Sequence, residues 1–140
     1  KIPYLGEFII RGLNGFAGPA VVMSVNAPLS RSARSGMLWP YRSWGDRVAV
    51  WNFVRDIPLR DSHRSYRTLA EIESSLDLLK SKPVRIIWGG SDFCFNKHFY
   101  ERWQQIFPHA EADYLEECGH YVLEDGCGSV LEKIELFLKP

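Results

Sequence analysis

The chain has 140 residues, of which 46% are hydrophobic, 24% charged and 14% aromatic, and its 17 Lys and Arg balance its 17 Asp and Glu. This length and composition are typical of a globular domain with a sizeable core. Because the net charge is zero, nothing favours a nucleic-acid or anionic-membrane partner, and the apolar runs are too short for a membrane span.

The cysteines indicate where the protein works. Cys94, Cys118 and Cys127 have no metal-ligand spacing, and no targeting segment is visible. An odd number of cysteines without a signal peptide favours a reducing, cytoplasmic location. Because the chain opens without an initiator Met, we expect it to start in the middle of a longer protein.

The first part of the chain is predicted to contain helices and irregular connections. Residues 5–16 carry apolar side chains at spacings of three and four, which predicts an amphipathic helix. Pro19 is expected to interrupt it, because proline lacks the backbone N–H that a helix interior needs. Residues 27–41 show no clear period and are predicted to form a loop with at most one helical turn.

A clearer helix is predicted after Ser43. Ser43 and Asp46 have the spacing of a capping pair, in which each side chain accepts from the other residue's backbone N–H. Trp44 and Trp51 share one apolar face of this helix. Pro58 is expected to end it, since the residue before a proline avoids the helical conformation.

The second part alternates helices and strands. The predicted order is a helix with a capping box at residues 68–71, a strand at 84–88, a helix capped by Asn96, a strand at 112–115 and a helix with a capping box at 129–132. Such alternation predicts a parallel sheet with helices on both faces. Two short strands cannot complete such a sheet, so we infer that most of it lies in an N-terminal portion outside this chain.

An acid and a histidine follow the two predicted strands. Asp92 comes just after the first strand and His120 just after the second. Sites in open α/β sheets form at the carboxyl ends of the strands. An imidazole can take up and return a proton near neutral pH, and a carboxylate can fix its tautomer. The spacing alone leaves open that Asp92 only caps the next helix and that His120 is a structural strand-end residue.

These residues carry a resemblance to a known family. Residues 84–92 and 117–125 resemble the last two strand-loop units of α/β-hydrolases, and more narrowly those of the haloalkane-dehalogenase-like branch. Residues 51–59, with 92–95, are similar to the β-lactone decarboxylases of olefin biosynthesis in that branch. The resemblance implies an α/β fold: residues 1–61 would be a helical cap, and residues 62–140 the C-terminal part of the core, with the last two parallel strands and their helices.

The resemblance also implies a function. The chain would supply His120 as general base and Asp92 as its orienting acid in an enzyme that converts a small hydrophobic substrate through a covalent ester. The nucleophile, an Asp in this branch or a Ser in other members, is absent and would come from the missing N-terminal half. Candidate substrate-binding residues are Phe93, Tyr121, Trp51 and Trp44, although packing of the cap helix is an alternative for the two tryptophans. No metal or organic cofactor is implied.

Three alternatives stay open at this point. The chain could be a non-catalytic fragment, or one part of a split protein that acts as an interaction module. It could belong to an epoxide hydrolase or serine esterase of the same fold, or be a self-sufficient small enzyme. Cys94 and Cys118 flank the predicted site, and we expect both to be small buried packing residues rather than nucleophiles.

Overall fold

The computed structural model describes residues 4–139. Lys1–Pro3, which open the predicted cap, and Pro140, which ends the predicted core part, lie outside the described residues. The described backbone forms two units, one from residues 4–22 and 29–75 and the other from residues 23–28 and 76–139. The division of the chain into a cap and a core at residues 61 and 62 stays a prediction.

The first unit is built from helices. Those that begin in it are α1 (Leu5–Glu7), a π-helix (Phe8–Gly12), α2 (Ala17–Met23), α3 (Arg31–Leu38), a 3-10 helix (Trp39–Tyr41), α4 (Val48–Asp56) and α5 (Tyr66–Ser74). No helix within residues 4–139 is both long and apolar enough to cross a membrane.

The prediction that Pro19 interrupts a helix is wrong. Pro19 is the third residue of α2, and in the first turn of a helix the missing N–H would have had no intrahelical partner. The helical chain breaks earlier, at Asn14, which has a left-handed φ of 52°. Gly15 then donates its N–H to the Ile9 carbonyl at 2.9 Å. The left-handed residue therefore separates the two helical segments.

The loop predicted for residues 27–41 is also wrong, because α3 forms there. The Ser30 hydroxyl accepts the Ala33 N–H at 3.1 Å and caps the helix. The capping pair is confirmed: the Ser43 N–H donates to Asp46 Oδ2 at 2.9 Å, and the Asp46 N–H donates to Ser43 Oγ at 3.2 Å. The helix that follows, α4, ends at Asp56, two residues before the proline that was expected to stop it.

The second unit holds the sheet. Its elements are a 3-10 helix (Leu76–Leu79), β1 (Arg85–Gly89), α6 (Lys97–Ile106), β2 (Glu111–Leu115), α7 (Val122–Asp125) and α8 (Cys127–Leu138). Both predicted capping boxes are wrong, since α5 and α8 begin two residues before Thr68 and Ser129. The Ser129 hydroxyl donates instead to the Gly126 carbonyl at 3.1 Å, a local bond that serine also makes inside a helix.

The two strands pair in parallel, as predicted, with Ile86 opposite Ala112 and Trp88 opposite Tyr114. Helix α6 makes the crossover between them, as a parallel connection requires. The core of this unit consists of buried side chains from the strands and helices: Ile86, Tyr100, Phe107, Cys118 and Val130. The carboxyl ends of β1 and β2 therefore lie side by side at one edge of a covered sheet.

The amino ends of the strands are joined by ion pairs. Arg85 at the start of β1 pairs with Glu111 and with Asp113 of β2, and Lys133 of α8 lies 2.6 Å from Asp113. Burial opposes ionisation of Asp113, but the bonds from Lys133 and Arg85 outweigh it and lower the pKa of this carboxyl. This cluster fixes α8 to the strand end opposite the predicted site.

Candidate active site

The two loops that follow the strands are bonded to each other. Gly89, the last residue of β1, lies against the backbone of the second loop: a Cβ at this position would overlap the Gly119 carbonyl oxygen and lie 2.7 Å from that of Cys118. The Ser91 N–H donates to the Cys118 carbonyl at 2.9 Å, and the Ser91 hydroxyl donates to the Glu116 carbonyl at 2.7 Å. Asp92 and His120 are thereby placed next to each other.

Asp92 uses its two oxygens for different purposes. Oδ1 accepts the backbone N–H groups of Cys94 at 2.7 Å and Phe95 at 2.9 Å. Oδ2 lies 2.9 Å from Nδ1 of His120. The Asp92 side chain is 8% exposed, whereas that of His120 is 32% exposed. The carboxylate is thus held beneath an imidazole that solvent can reach.

The surroundings of Asp92 keep it ionised. Burial raises the pKa of this carboxyl, but hydrogen bonds from the Phe95 N–H, the His120 ring and the Cys94 N–H together lower it below its ordinary value. An ionised carboxylate only accepts hydrogen bonds, so a neutral His120 donates its Nδ1–H to Asp92. Nε2 then carries the lone pair and is able to take a proton from a reactant.

Aromatic rings surround the imidazole. The His120 ring centroid lies 5.5 Å from that of Phe95, 5.8 Å from Tyr121 and 6.4 Å from Phe93. Phe95 also packs edge-on against Phe99 at 5.2 Å. The side of the ring near these residues is therefore apolar, while the Asp92 side is charged.

The predicted site residues fall into two groups. The structure brings Asp92, His120, Phe93 and Tyr121 together in the second unit. Trp44 and Trp51 lie in the first unit, where the Trp44 ring has the Arg11 guanidinium 4.4 Å from its centroid, and the Trp51 ring packs against Gly6. A role of either tryptophan in binding substrate stays a prediction, as do the catalytic roles of Asp92 and His120.

Phe95 is a site residue that the sequence did not single out. Its N–H helps to hold Asp92, its ring contacts His120, and its carbonyl accepts the Trp88 indole N–H at 2.9 Å. A signal for it was present, because an aspartate before a helix start commonly accepts N–H groups two and three residues further on. Asn96 then caps α6 through the His98 N–H at 3.1 Å, as predicted.

The two flanking cysteines differ from each other. Cys118 is buried, as predicted, and burial, with the negative charges of Asp125 and Glu117, raises the pKa of its thiol. The prediction that Cys94 is buried is wrong, since it lies on the exposed turn between β1 and α6. In the part of the chain that the structure describes, no three His, Cys, Asp or Glu side chains are grouped so as to hold a metal ion.

The chain is similar in sequence to curated proteins over nearly all of its length. A cis-3-alkyl-4-alkyloxetan-2-one decarboxylase from Shewanella oneidensis is 37% identical over 135 residues, which are 96% of this chain and 42% of the relative. An enzyme of the same name from Xanthomonas campestris is 32% identical over 135 residues, covering 96% and 45%. The chain thus spans less than half the length of these curated relatives. No family model matches it.

The similar solved structures are haloalkane dehalogenases. One from Bradyrhizobium elkanii has a TM-score of 0.84 at 19% identity, over 95% of this chain and 44% of that chain. One from Agrobacterium tumefaciens has a TM-score of 0.80 at 17% identity, over 98% and 47%. At these identities the likeness concerns the fold. The chain therefore has the fold of the C-terminal part of an α/β-hydrolase, and its similarity to the β-lactone decarboxylases and to the haloalkane-dehalogenase-like branch is confirmed.

Proposed function

We propose that the full-length protein carrying this chain is an enzyme that converts a small hydrophobic substrate through a covalent ester, and that its substrate is a β-lactone of the cis-3-alkyl-4-alkyloxetan-2-one class. His120 is the general base and Asp92 the acid that orients it. The remainder of the protein is the partner that supplies the nucleophile.

The observation that carries the proposal is the bond between His120 Nδ1 and Asp92 Oδ2, 2.9 Å long, at the carboxyl ends of adjacent parallel strands. A carboxylate in this position holds the imidazole in one tautomer and stabilises the imidazolium that forms when Nε2 takes a proton. The 37% identity to a decarboxylase over nearly all of the chain supports the choice of substrate class.

The chemistry assigned to the pair follows from that tautomer. A nucleophilic carboxylate attacks a substrate carbon, and the bond to the leaving oxygen or halide breaks with its electron pair. For a haloalkane or an epoxide, His120 Nε2 would then take a proton from the water whose oxygen attacks the ester carbonyl, and collapse of that adduct would free the nucleophile. For a β-lactone, attack on the ring carbon that bears the ring oxygen breaks that C–O bond and leaves the lactone carbonyl as a substrate carboxyl group, which His120 Nε2, as base, keeps ionised. Loss of carbon dioxide from this carboxylate breaks the C–C bond, the freed electron pair forms the alkene, and the ester C–O bond breaks to release the nucleophile as a carboxylate, with no water consumed.

The apolar rings beside His120 support a hydrophobic substrate. Phe93 is 61% exposed and Phe95 44% exposed, so both present aromatic surface next to the imidazole. Together with Tyr121 they would line one wall of the pocket. Trp44 and Trp51 are proposed to contribute from the helical cap. The cytoplasmic location stays a prediction.

The test uses the full-length protein and a cis-3-alkyl-4-alkyloxetan-2-one. The wild type is expected to release an alkene and carbon dioxide, measured by gas chromatography with mass spectrometry. His120→Ala is expected to stop turnover with the substrate bound as an ester, seen as added mass on the intact protein. His98→Ala is the matched control, since the His98 side chain is 90% exposed and lies 3.8 Å from Glu101, away from the pair.

An unmodified and fully active His120→Ala protein would remove His120 from the mechanism. Conversion of a haloalkane, an epoxide or a carboxylic ester instead of the oxetanone would keep the catalytic pair and change the substrate class. No turnover of any of these by the wild type would favour a non-catalytic interaction module.

A further inference from the structure

We infer that Asp125, at the end of α7, is a positioning residue that holds the His120 loop in its active geometry through backbone hydrogen bonds. This inference rests on the proposed function, in which His120 is the base. Asp125 lies five residues after His120 and does not touch its ring, so its action is indirect.

The Asp125 carboxylate accepts hydrogen bonds from three backbone N–H groups that belong to two separate segments. Oδ2 accepts from Gly119 at 2.7 Å, directly before His120. Both oxygens accept from Asn26, at 2.8 Å and 3.0 Å, and Oδ1 accepts from Ala27 at 3.0 Å. One carboxylate therefore joins the histidine loop to residues 26–27, which lie about a hundred positions earlier in the chain.

The residue on the other side of His120 is tied to the same segment. Tyr121 donates its N–H to the Ser24 carbonyl at 2.7 Å, and Ser24 is 3% exposed. Asn26 also donates its side-chain amide to the Glu117 carbonyl at 2.9 Å. The N–H groups of the residues before and after His120 are thus both held: rotation of the Cys118–Gly119 peptide would break the bond to Asp125, and rotation of the His120–Tyr121 peptide would break the bond to Ser24.

The histidine loop lies close against Asp125 and Ser24, and the charge of Asp125 strengthens its bonds there. A Cβ on Gly119 would lie 2.8 Å from the Ser24 carbonyl oxygen and 3.2 Å from Asp125 Oδ2, so no side chain fits between the loop and its support. Burial raises the pKa of Asp125, but the bonds from Ala27, Asn26 and Gly119 outweigh it and lower the pKa. An ionised carboxylate makes shorter and stronger bonds to N–H groups than a neutral amide does.

Loss of this charge is expected to act on His120 through the loop. An amide at position 125 keeps one acceptor oxygen but presents an NH₂ group to at least one backbone N–H. The two donors repel each other, and the loop moves away from the geometry in which Nδ1 meets Asp92. A displacement of about 1 Å at a catalytic group costs on the order of 100-fold in rate.

The experiment compares three variants of the full-length protein: Asp125→Asn, Asp125→Glu and Asp113→Asn. Asp113 is the matched control, because it is also an aspartate of the second unit with a lowered pKa, but its partners are Lys133 and Arg85 at the far end of the strands. Asp125→Asn is expected to lower kcat on the oxetanone by about 100-fold with KM unchanged. Asp125→Glu should recover part of this loss, and Asp113→Asn should lose stability but retain kcat.

A second measurement does not depend on turnover. The proton on His120 Nδ1, observed by NMR in protein labelled with ¹⁵N-histidine, should lose its downfield position in Asp125→Asn and keep it in Asp113→Asn. An Asp125→Asn protein with normal kcat and an unchanged Nδ1 proton would overturn the inference, as would equal losses of kcat in both Asn variants. If the wild type turns over no substrate, the proposed function fails while the NMR signal still decides the role of Asp125. If Asp125→Asn does not fold, Asp125→Glu decides by the same two measurements.

Discussion

Replacement of Asp92 by asparagine is expected to reverse the tautomer of His120. The amide oxygen can still accept the N–H groups of Cys94 and Phe95, but the NH₂ group then faces Nδ1, which must become an acceptor. The proton moves to Nε2, which can no longer act as a base. A wrong tautomer of this kind costs on the order of 10⁴-fold in kcat.

The cost in stability can be worked out from the same contacts. Hydrogen bonds to a charged group contribute about 2 kcal/mol each and neutral ones about 1 kcal/mol. All three bonds of Asp92 become bonds to a neutral amide, so the free energy of unfolding should fall by roughly 3 kcal/mol. The Asp92 side chain is only 8% exposed, which leaves little screening by water to reduce this figure.

The assay measures kcat on the oxetanone and unfolding by urea for the full-length Asp92→Asn protein. Asp46→Asn is the control, because this exposed aspartate makes the same kind of bonds in the capping pair with Ser43, in the first unit. Its kcat should equal that of the wild type. An Asp92→Asn protein with kcat within about tenfold of the wild type would refute the tautomer argument.

Two further predictions concern stability. The pKa values of Asp92 and Asp125 are lowered in the folded state, so their stabilisation is present above the unfolded value of about 3.9 and is lost as the pH falls through the lower folded values. The contribution of these two carboxylates to the free energy of unfolding should therefore be constant above about pH 5 and fall steeply below about pH 4. In urea unfolding, either Asn variant should lose less stability than the wild type as the pH falls below about 4; an equal loss would contradict this. Gly89→Ala should destabilise by about 3 kcal/mol, since its Cβ overlaps the Gly119 carbonyl, whereas Gly128→Ala in α8 meets no atom within 4 Å and should be neutral or stabilising; equal unfolding midpoints for the two would disprove the close approach.

Sequence patterns predicted the elements that depend on interactions between residues close in the chain. The strands at residues 84–88 and 112–115 were placed within one residue. For the first, the signal was local, because the β-branched Val84, Ile86 and Ile87 follow Pro83 within four residues. The Asn96 cap was found for the same reason, since its bond reaches only two residues ahead. The capping boxes at Thr68 and Ser129 failed because the same residue pattern also fits inside a helix that has already begun.

The sequence also predicted one part of the candidate site and missed another. Asp92 and His120 were found because each follows a strand, and strands of a parallel sheet bring their carboxyl ends together. The contacts of Asp125 could not be found, because its partners at residues 26–27 are distant in sequence and are backbone groups, which every residue type supplies. Pairing through the main chain leaves no pattern of side-chain types to detect.

The approach of Gly89 to the second loop has a consequence for engineering. Because backbone rests on backbone there, with Ser91 bonded to the carbonyls of Cys118 and Glu116, the two loops share one interface that contains almost no adjustable side chain. A graft that exchanges only one of them for the loop of a relative would bring together main chains that have not been matched to each other. Chimeras should therefore exchange residues 89–96 and 116–125 as a single cassette, together with residues 24–27.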